Sequence, residues 1–117
     1  MMSVTLYHNP RCSKSRATLA LLEAHGVTPN IRLYLEQVPS THELTQLLSM
    51  LGMDDARLLM RKGEEVYKLE QLAKTHLTQS ELINAMVNHP RLIERPIAIN
   101  QGQARIGRPP ESVLEIL

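Results

Sequence analysis

A chain of 117 residues, 43% of them hydrophobic, is long enough to bury one modest core. With no Phe or Trp and three Tyr, that core has to be aliphatic, and the composition argues against aromatic stacking on nucleic-acid bases as a function. Lys and Arg number 13 against 12 Asp and Glu, a net charge of +1, which excludes a general binder of nucleic acid or anionic membrane but not a local cationic pocket.

Residues 3–7, "SVTLY", alternate and favour extended backbone, predicting a first strand. "HNPRC" breaks the pattern with an Asn-Pro turn signal. From Ser13 the period becomes helical. Ala17, Ala20, Leu21 and Ala24 recur at i, i+3, i+4 and i+7 and predict an apolar stripe, with Gly26 just past the helix end and Pro29 blocking a restart. "IRLYL" (31–35) predicts a second strand with Ile31, Leu33 and Leu35 on one face. If the two strands are parallel, the crossover between them is expected to be right-handed.

The middle of the chain reads as helical. Ser40 and Glu43 form a capping box ahead of a stripe of Leu44, Leu47, Leu48 and Leu51, which Gly52 ends. Asp54 is expected to cap a short helix, "DARLLM". Beyond Gly63, the residues Val66, Leu69, Leu72 and Ala73 predict another helix. "TQSE" (78–81) is a second capping box, opening a helix with Leu82, Ile83, Met86 and Val87 that "NHP" closes. "RPIAINQGQARIG" then predicts a hairpin: Ile97 and Ile99, a turn at Gln101-Gly102, then Ala104 and Ile106. "RPPESVLEIL" predicts a last helix with Val113, Leu114 and Leu117 on one side. The order is β-α-β, helices inserted at about 40–90, a β-hairpin and a C-terminal α. It predicts one α/β domain over residues 1–117, with a mixed sheet and helices on its faces.

Cys12 is the single cysteine, so an internal disulfide and a cysteine-based metal site are excluded. A thiolate is the nucleophilic form, and an ordinary thiol with a pKa of about 8.5 is only a few per cent thiolate at neutral pH. Here the strand-loop-helix context puts a helix N-terminus beside the sulfur, and His8, Arg11, Lys14 and Arg16 crowd it in sequence. Helix amides and cations both favour an anion, so one loop could bind an oxyanion and activate the thiol. The competing reading is a small buried hydrophobe, but "HNPR" and "SKSR" are too polar to flank a core position. Ser15 stands where a thioredoxin C-x-x-C motif needs its second cysteine, so any resolving thiol has to come from outside. Thr18 stands where a phosphatase-like C-x5-R loop needs arginine.

Arg61, Arg95 and Arg108 each sit at an element boundary, and each alone reads as a surface arginine. The histidines at 8, 25, 42, 76 and 89 lack metal-ligand spacing, so no metal is expected. No apolar run approaches membrane-spanning length and no signal-peptide pattern opens the chain, which makes the cytoplasm the expected location and a membrane partner unexpected.

"YHNPRCSKSR" resembles the active-site segment of the ArsC-type arsenate reductases, the glutathione- and glutaredoxin-coupled family. The likeness continues through "YLEQVPSTHEL", "LLMRKGEEVYKL", "HPRLIERPIAI" and "ARIGRPPESVLEIL", and is nearest to the short YfgD-like branch. The resemblance implies a thioredoxin-like fold with a helical insertion. It implies that Cys12 is the catalytic cysteine and His8 the histidine that helps lower its pKa. It implies that Arg61, Arg95 and Arg108 are three anion-binding arginines, with Pro96 cis; Arg105 is an alternative to Arg108 without the R-P-x-E context. The implied reaction is thiolate attack on arsenate, with glutathione and then glutaredoxin supplying external thiols and no cofactor tightly bound. Two rivals share the fold. One is an Spx-like regulator that binds RNA polymerase, whose oxidant switch is commonly the C-x-x-C that Ser15 removes. The other is a glutathione-dependent thiol transferase, which needs Cys12 but not the arginines.

Overall fold

The computed structural model describes residues 3–117. The chain divides into two compact units, one made of the residues up to Gln37 together with Arg95–Leu117, the other of Val38–Glu94.

The first unit contains β1 (Thr5–Tyr7), α1 (Ser13–Ala24), β2 (Asn30–Arg32), β3 (Ile97–Asn100), β4 (Gln103–Ile106) and a final 3-10 helix, Pro110–Ile116. The strands form one mixed sheet in the order β2-β1-β3-β4, with β1 and β2 parallel and the other neighbours antiparallel. Val4, Leu6, Leu22, Ala98, Val113 and Ile116 form its aliphatic core.

Three expectations shift here. The buried face of α1 is Ser15, Thr18 and Leu22, with Leu19 against the core, while Ala17, Ala20 and Ala24 are exposed. The spacing is the predicted one, rotated onto the leucines, which remove more apolar area from water than alanines. The two hydroxyls tolerate burial because both are hydrogen-bonded: Ser15 to His8, and Thr18 Oγ1 donating to the Lys14 carbonyl at 3.0 Å. Strand β2 leaves the sheet after Arg32. Ile31 and Leu35 are 42% and 37% exposed, whereas Tyr34 is 1% exposed. As an edge strand β2 needs no second apolar row, and the larger Tyr34 ring instead stacks on Tyr7 with centroids 6.3 Å apart. The C-terminal helix is 3-10, not α. It buries Val113, as expected, and Ile116, the three-residue repeat of that geometry, while Leu117 packs half-buried against the same core.

The hairpin forms as expected. Gln101 and Gly102 have φ of 50° and 77°, the two positive values that a type I′ turn requires. That turn fixes the register, including Ile97↔Ile106 and Asn100↔Gln103.

The second unit holds α2 (Thr41–Leu51), a 3-10 turn at Ala56–Leu59, α3 (Glu65–Leu69), α4 (Gln79–Asn88) and a 3-10 turn at Pro90–Leu92. Both capping boxes form, Ser40 with Glu43 and Thr78 with Glu81. Asp55, not Asp54, caps the Ala56 turn, accepting from the Arg57 amide. Helix α3 is shorter than predicted. Its chain turns at Gln71, φ 53°, so Leu72 is buried at 4% exposure while Leu69 is 70% exposed. Arg57 Nε donates to the Leu72 carbonyl at 2.7 Å, holding that non-helical turn.

Candidate active site

The site begins where β1 ends. The Asn9-Pro10-Arg11-Cys12 turn closes through the Cys12 amide donating to the Asn9 carbonyl at 3.0 Å. Asn9 Oδ1 accepts from the Arg11 amide at 3.0 Å. Cys12 is then the N-cap residue of α1, with extended backbone, and its carbonyl accepts the first helical hydrogen bond from Arg16 at 3.0 Å. The sulfur therefore sits where the helix presents unpaired amides and the positive end of its dipole.

The thiol is partly buried. Burial pushes its pKa up, but the Ser15 amide, the Arg95 guanidinium, the Lys14 amide and the Arg108 guanidinium, in falling order, outweigh that and bring it below an ordinary thiol. Sγ makes no side-chain cap hydrogen bond in the strict geometric sense.

Arg95 and Arg108 come together because of the hairpin. Continuing the Ile97↔Ile106 register outward by one and then two residues sets Pro96 opposite Gly107 and Arg95 opposite Arg108. Two hydrogen bonds tie the pair of segments: the Gly107 amide donates to the Pro96 carbonyl at 2.8 Å, and Arg108 Nε donates to the Arg95 carbonyl at 2.9 Å. Pairing of Tyr7 with Ile97 brings the end of β1, and so the Cys12 turn, to the same end of the sheet. The Arg95–Pro96 bond is cis, as the resemblance implied, and the Arg108–Pro109 bond is cis as well. Arg105 is used elsewhere, with Nε donating to Glu115 at 2.9 Å.

His8 contributes differently from a cation. Its Nδ1 lies 2.6 Å from Ser15 Oγ, which also accepts from the Asn9 amide at 3.0 Å. Burial, reinforced by the Arg16 charge, lowers the His8 pKa, so the ring is neutral at neutral pH. We assign its proton to Nε2, which lets the Ser15 hydroxyl donate to Nδ1 while accepting from Asn9. Ser15 is fully buried; His8 thus braces the residue whose amide faces the thiolate. Sequence reasoning treated Ser15 only as a missing cysteine. The signal was a hydroxyl in the first turn of a helix that follows a histidine-bearing loop.

Arg61 belongs to the Val38–Glu94 unit. Its amide donates to the Leu92 carbonyl at 2.7 Å and its guanidinium lies 3.6 Å from Glu64. Of the five expected site residues, Cys12, His8, Arg95 and Arg108 lie in the first unit and Arg61 in the second. Among the described residues, no group of His, Cys, Asp or Glu could hold a metal ion, and no helix is long and apolar enough to cross a membrane.

Comparison with known proteins finds similarity along nearly the whole chain. The family model described as the ArsC family matches residues 7–116. An arsenate reductase of Haemophilus influenzae is 55% identical over 116 residues, covering 99% of this chain and all of that protein. The YfgD protein of Escherichia coli is 55% identical over 114 residues, 97% of this chain and 96% of its own. The solved structure of an arsenate reductase from Vibrio cholerae superposes with a TM-score of 0.97 at 55% identity, covering 99% of this chain and 98% of that one. With a mixed sheet of the thioredoxin-like type and a match along nearly its whole length, the chain belongs to the ArsC family.

Proposed function

We propose that this protein reduces arsenate to arsenite, with Cys12 as the nucleophile and Arg95 and Arg108 as the anion-holding groups. The observation that carries the reading is the concurrence of a thiol with a lowered pKa and two guanidinium groups from paired segments that help lower it. A generic thiol transferase needs the first and not the second. The relatives named as arsenate reductases at 55% identity over the full chain support the same substrate.

The chemistry follows from charge. Arsenate is an anion, so a thiolate approaching it is repelled unless cations offset the repulsion. Guanidinium groups present planar, paired donors that suit a tetrahedral oxyanion. The Cys12 thiolate forms a bond to arsenic(V) and one oxygen leaves as water after protonation. Reduction to arsenic(III) takes two electrons, which two thiols supply by becoming a disulfide. Cys12 is one of them; the chain has no other cysteine, so the second comes from outside, and glutathione is the donor that the family resemblance implies. Arsenite leaves, and a glutaredoxin dithiol restores the Cys12 thiol by disulfide exchange. His8 acts through Ser15, keeping the turn in the shape that faces amides at the sulfur. This cycle needs no tightly bound cofactor, and free-thiol donors of this kind are compatible with the reducing cytoplasm as its setting.

The test is arsenate-dependent oxidation of NADPH coupled through glutathione reductase, glutathione and glutaredoxin. Turnover that requires all three thiol components and this protein is the expected result. Oxidation that proceeds with a small mixed disulfide and not with arsenate would replace this reading by thiol transfer.

A further inference from the structure

The segments carrying Arg95 and Arg108 meet helix α1 at one very tight place. A Cβ added to Gly107 would lie 2.6 Å from Thr18 Oγ1, 3.2 Å from Thr18 Cγ2 and 2.9 Å from Pro96 Cγ. Real Cβ atoms do not approach other atoms so closely, so Gly107 is held to glycine by space. Thr18 is fully buried, and its hydroxyl is spent on the Lys14 carbonyl of its own helix. The side chain therefore serves as a fixed wedge rather than as a donor to the site. Thr18 stands one turn beyond Lys14 in α1, the helix whose N-cap is Cys12 and whose first turn carries Lys14 and Ser15. Against it rests Gly107, whose amide binds the Pro96 carbonyl and whose neighbour Arg108 binds the Arg95 carbonyl.

We propose that Thr18 and Gly107 are positioning residues, a size-matched contact that sets the distance between the two guanidinium groups and the Cys12 sulfur. The inference rests on the anion-site reading above, and it deepens that reading by naming what holds the arginines in range. Neither residue touches the substrate. A methyl at 107 has to push the Arg108 segment away from α1, because the wedge behind it is buried and the Pro96 ring lies on the other side. The hairpin register and the core have no need to change.

The test uses Gly107→Ala, Thr18→Ala with Gly107→Ala, and Arg95→Ala in parallel. The readouts are the pH midpoint of Cys12 alkylation by iodoacetamide, the KM and kcat for arsenate, and the far-UV circular dichroism. Gly107→Ala should move the alkylation midpoint upward, toward that of a free thiol, and raise the arsenate KM roughly tenfold with a smaller fall in kcat. The double variant, with the wedge trimmed to make room for the new methyl, should recover at least about half of that loss on a logarithmic scale. A purely structural contact would lower the melting temperature and leave the alkylation midpoint where it was. Wild-type values of midpoint and KM in Gly107→Ala overturn the proposal, and so does a loss that Thr18→Ala leaves untouched. If Gly107→Ala does not fold, Thr18→Val and Thr18→Ala decide. Valine keeps the width of the wedge and should stay within about twofold of wild type in KM, while alanine should not; equal values for the two overturn the proposal. If Arg95→Ala leaves the arsenate KM unchanged, the anion-site reading fails, and the alkylation midpoint alone still judges the contact.

Discussion

Replacing Arg95 or Arg108 by alanine separates anion chemistry from ordinary thiol exchange. Each guanidinium is asked to donate charge-assisted hydrogen bonds to an oxyanion, worth about 1.5–3 kcal/mol apiece. Loss of one should therefore cost roughly ten- to a hundredfold in kcat/KM for arsenate. The two sites also differ in how strongly they act on the sulfur. Arg95 outranks Arg108 in lowering the Cys12 pKa, so Arg95→Ala should move the alkylation midpoint further upward. Arg108→Ala additionally loses the 2.9 Å bond from its Nε to the Arg95 carbonyl, so it loosens the partner segment as well as removing a charge. Lysine at either position should restore only part of the loss, because it keeps the charge without the paired donors. The assay is steady-state arsenate turnover beside thiol transfer to a small neutral disulfide. Transfer should suffer much less, having no tetrahedral anion to hold. Equal losses in both reactions would refute the reasoning and assign the arginines to folding or to thiol activation; no loss in either would mean that the anion sits elsewhere.

Cys12 should alkylate with a pH midpoint below that of free cysteine, since first-turn amides and two guanidinium groups outweigh its burial; a free-thiol profile would contradict the activated thiolate. His8 predicts a pH dependence of stability. Its folded pKa lies below the ordinary value of about 6.5, so between the two the unfolded chain binds more protons, and its contribution to stability falls as pH drops from that value toward the folded pKa. Urea midpoints of wild type and His8→Ala across that window measure it, and parallel curves would sink the idea. Ser40→Ala removes the reciprocal cap of α2, in which Ser40 Oγ accepts from Glu43 at 3.1 Å, and should cost about 1 kcal/mol in urea unfolding.

The order of the elements was legible because periodicity, capping boxes and the Gln101-Gly102 turn are local signals. What failed was selection between equivalent local options. The spacing of α1 allowed either an alanine or a leucine face, and only the core of Leu6, Ala98, Val113 and Ile116 packed against it decides in favour of Leu19 and Leu22. Tyr34 overrode the alternation of 31–35 because its ring stacks on that of Tyr7, a fact absent from either segment. The C-terminal residues read as α-helical, yet the 3-10 repeat of Val113 and Ile116 answers to the core rather than to propensity. Cys12 and its turn stood out in sequence because Asn-Pro, cations and a helix start coincide there. Ser15, Thr18 and Gly107 did not, since buried hydroxyls and a glycine held by space acquire meaning only from what touches them. The pairing of Arg95 with Arg108 was within reach, because a two-residue hairpin turn sets the two arginines opposite each other.

The most direct test of the account is Cys12→Ser in the coupled arsenate assay. Serine preserves size and the N-cap position but is far less acidic than a thiol and cannot form the mixed disulfide. Turnover should fall to background while the circular dichroism and urea midpoint stay near wild type. Substantial arsenate-dependent NADPH oxidation by the folded serine variant would remove Cys12 from the mechanism and the account with it.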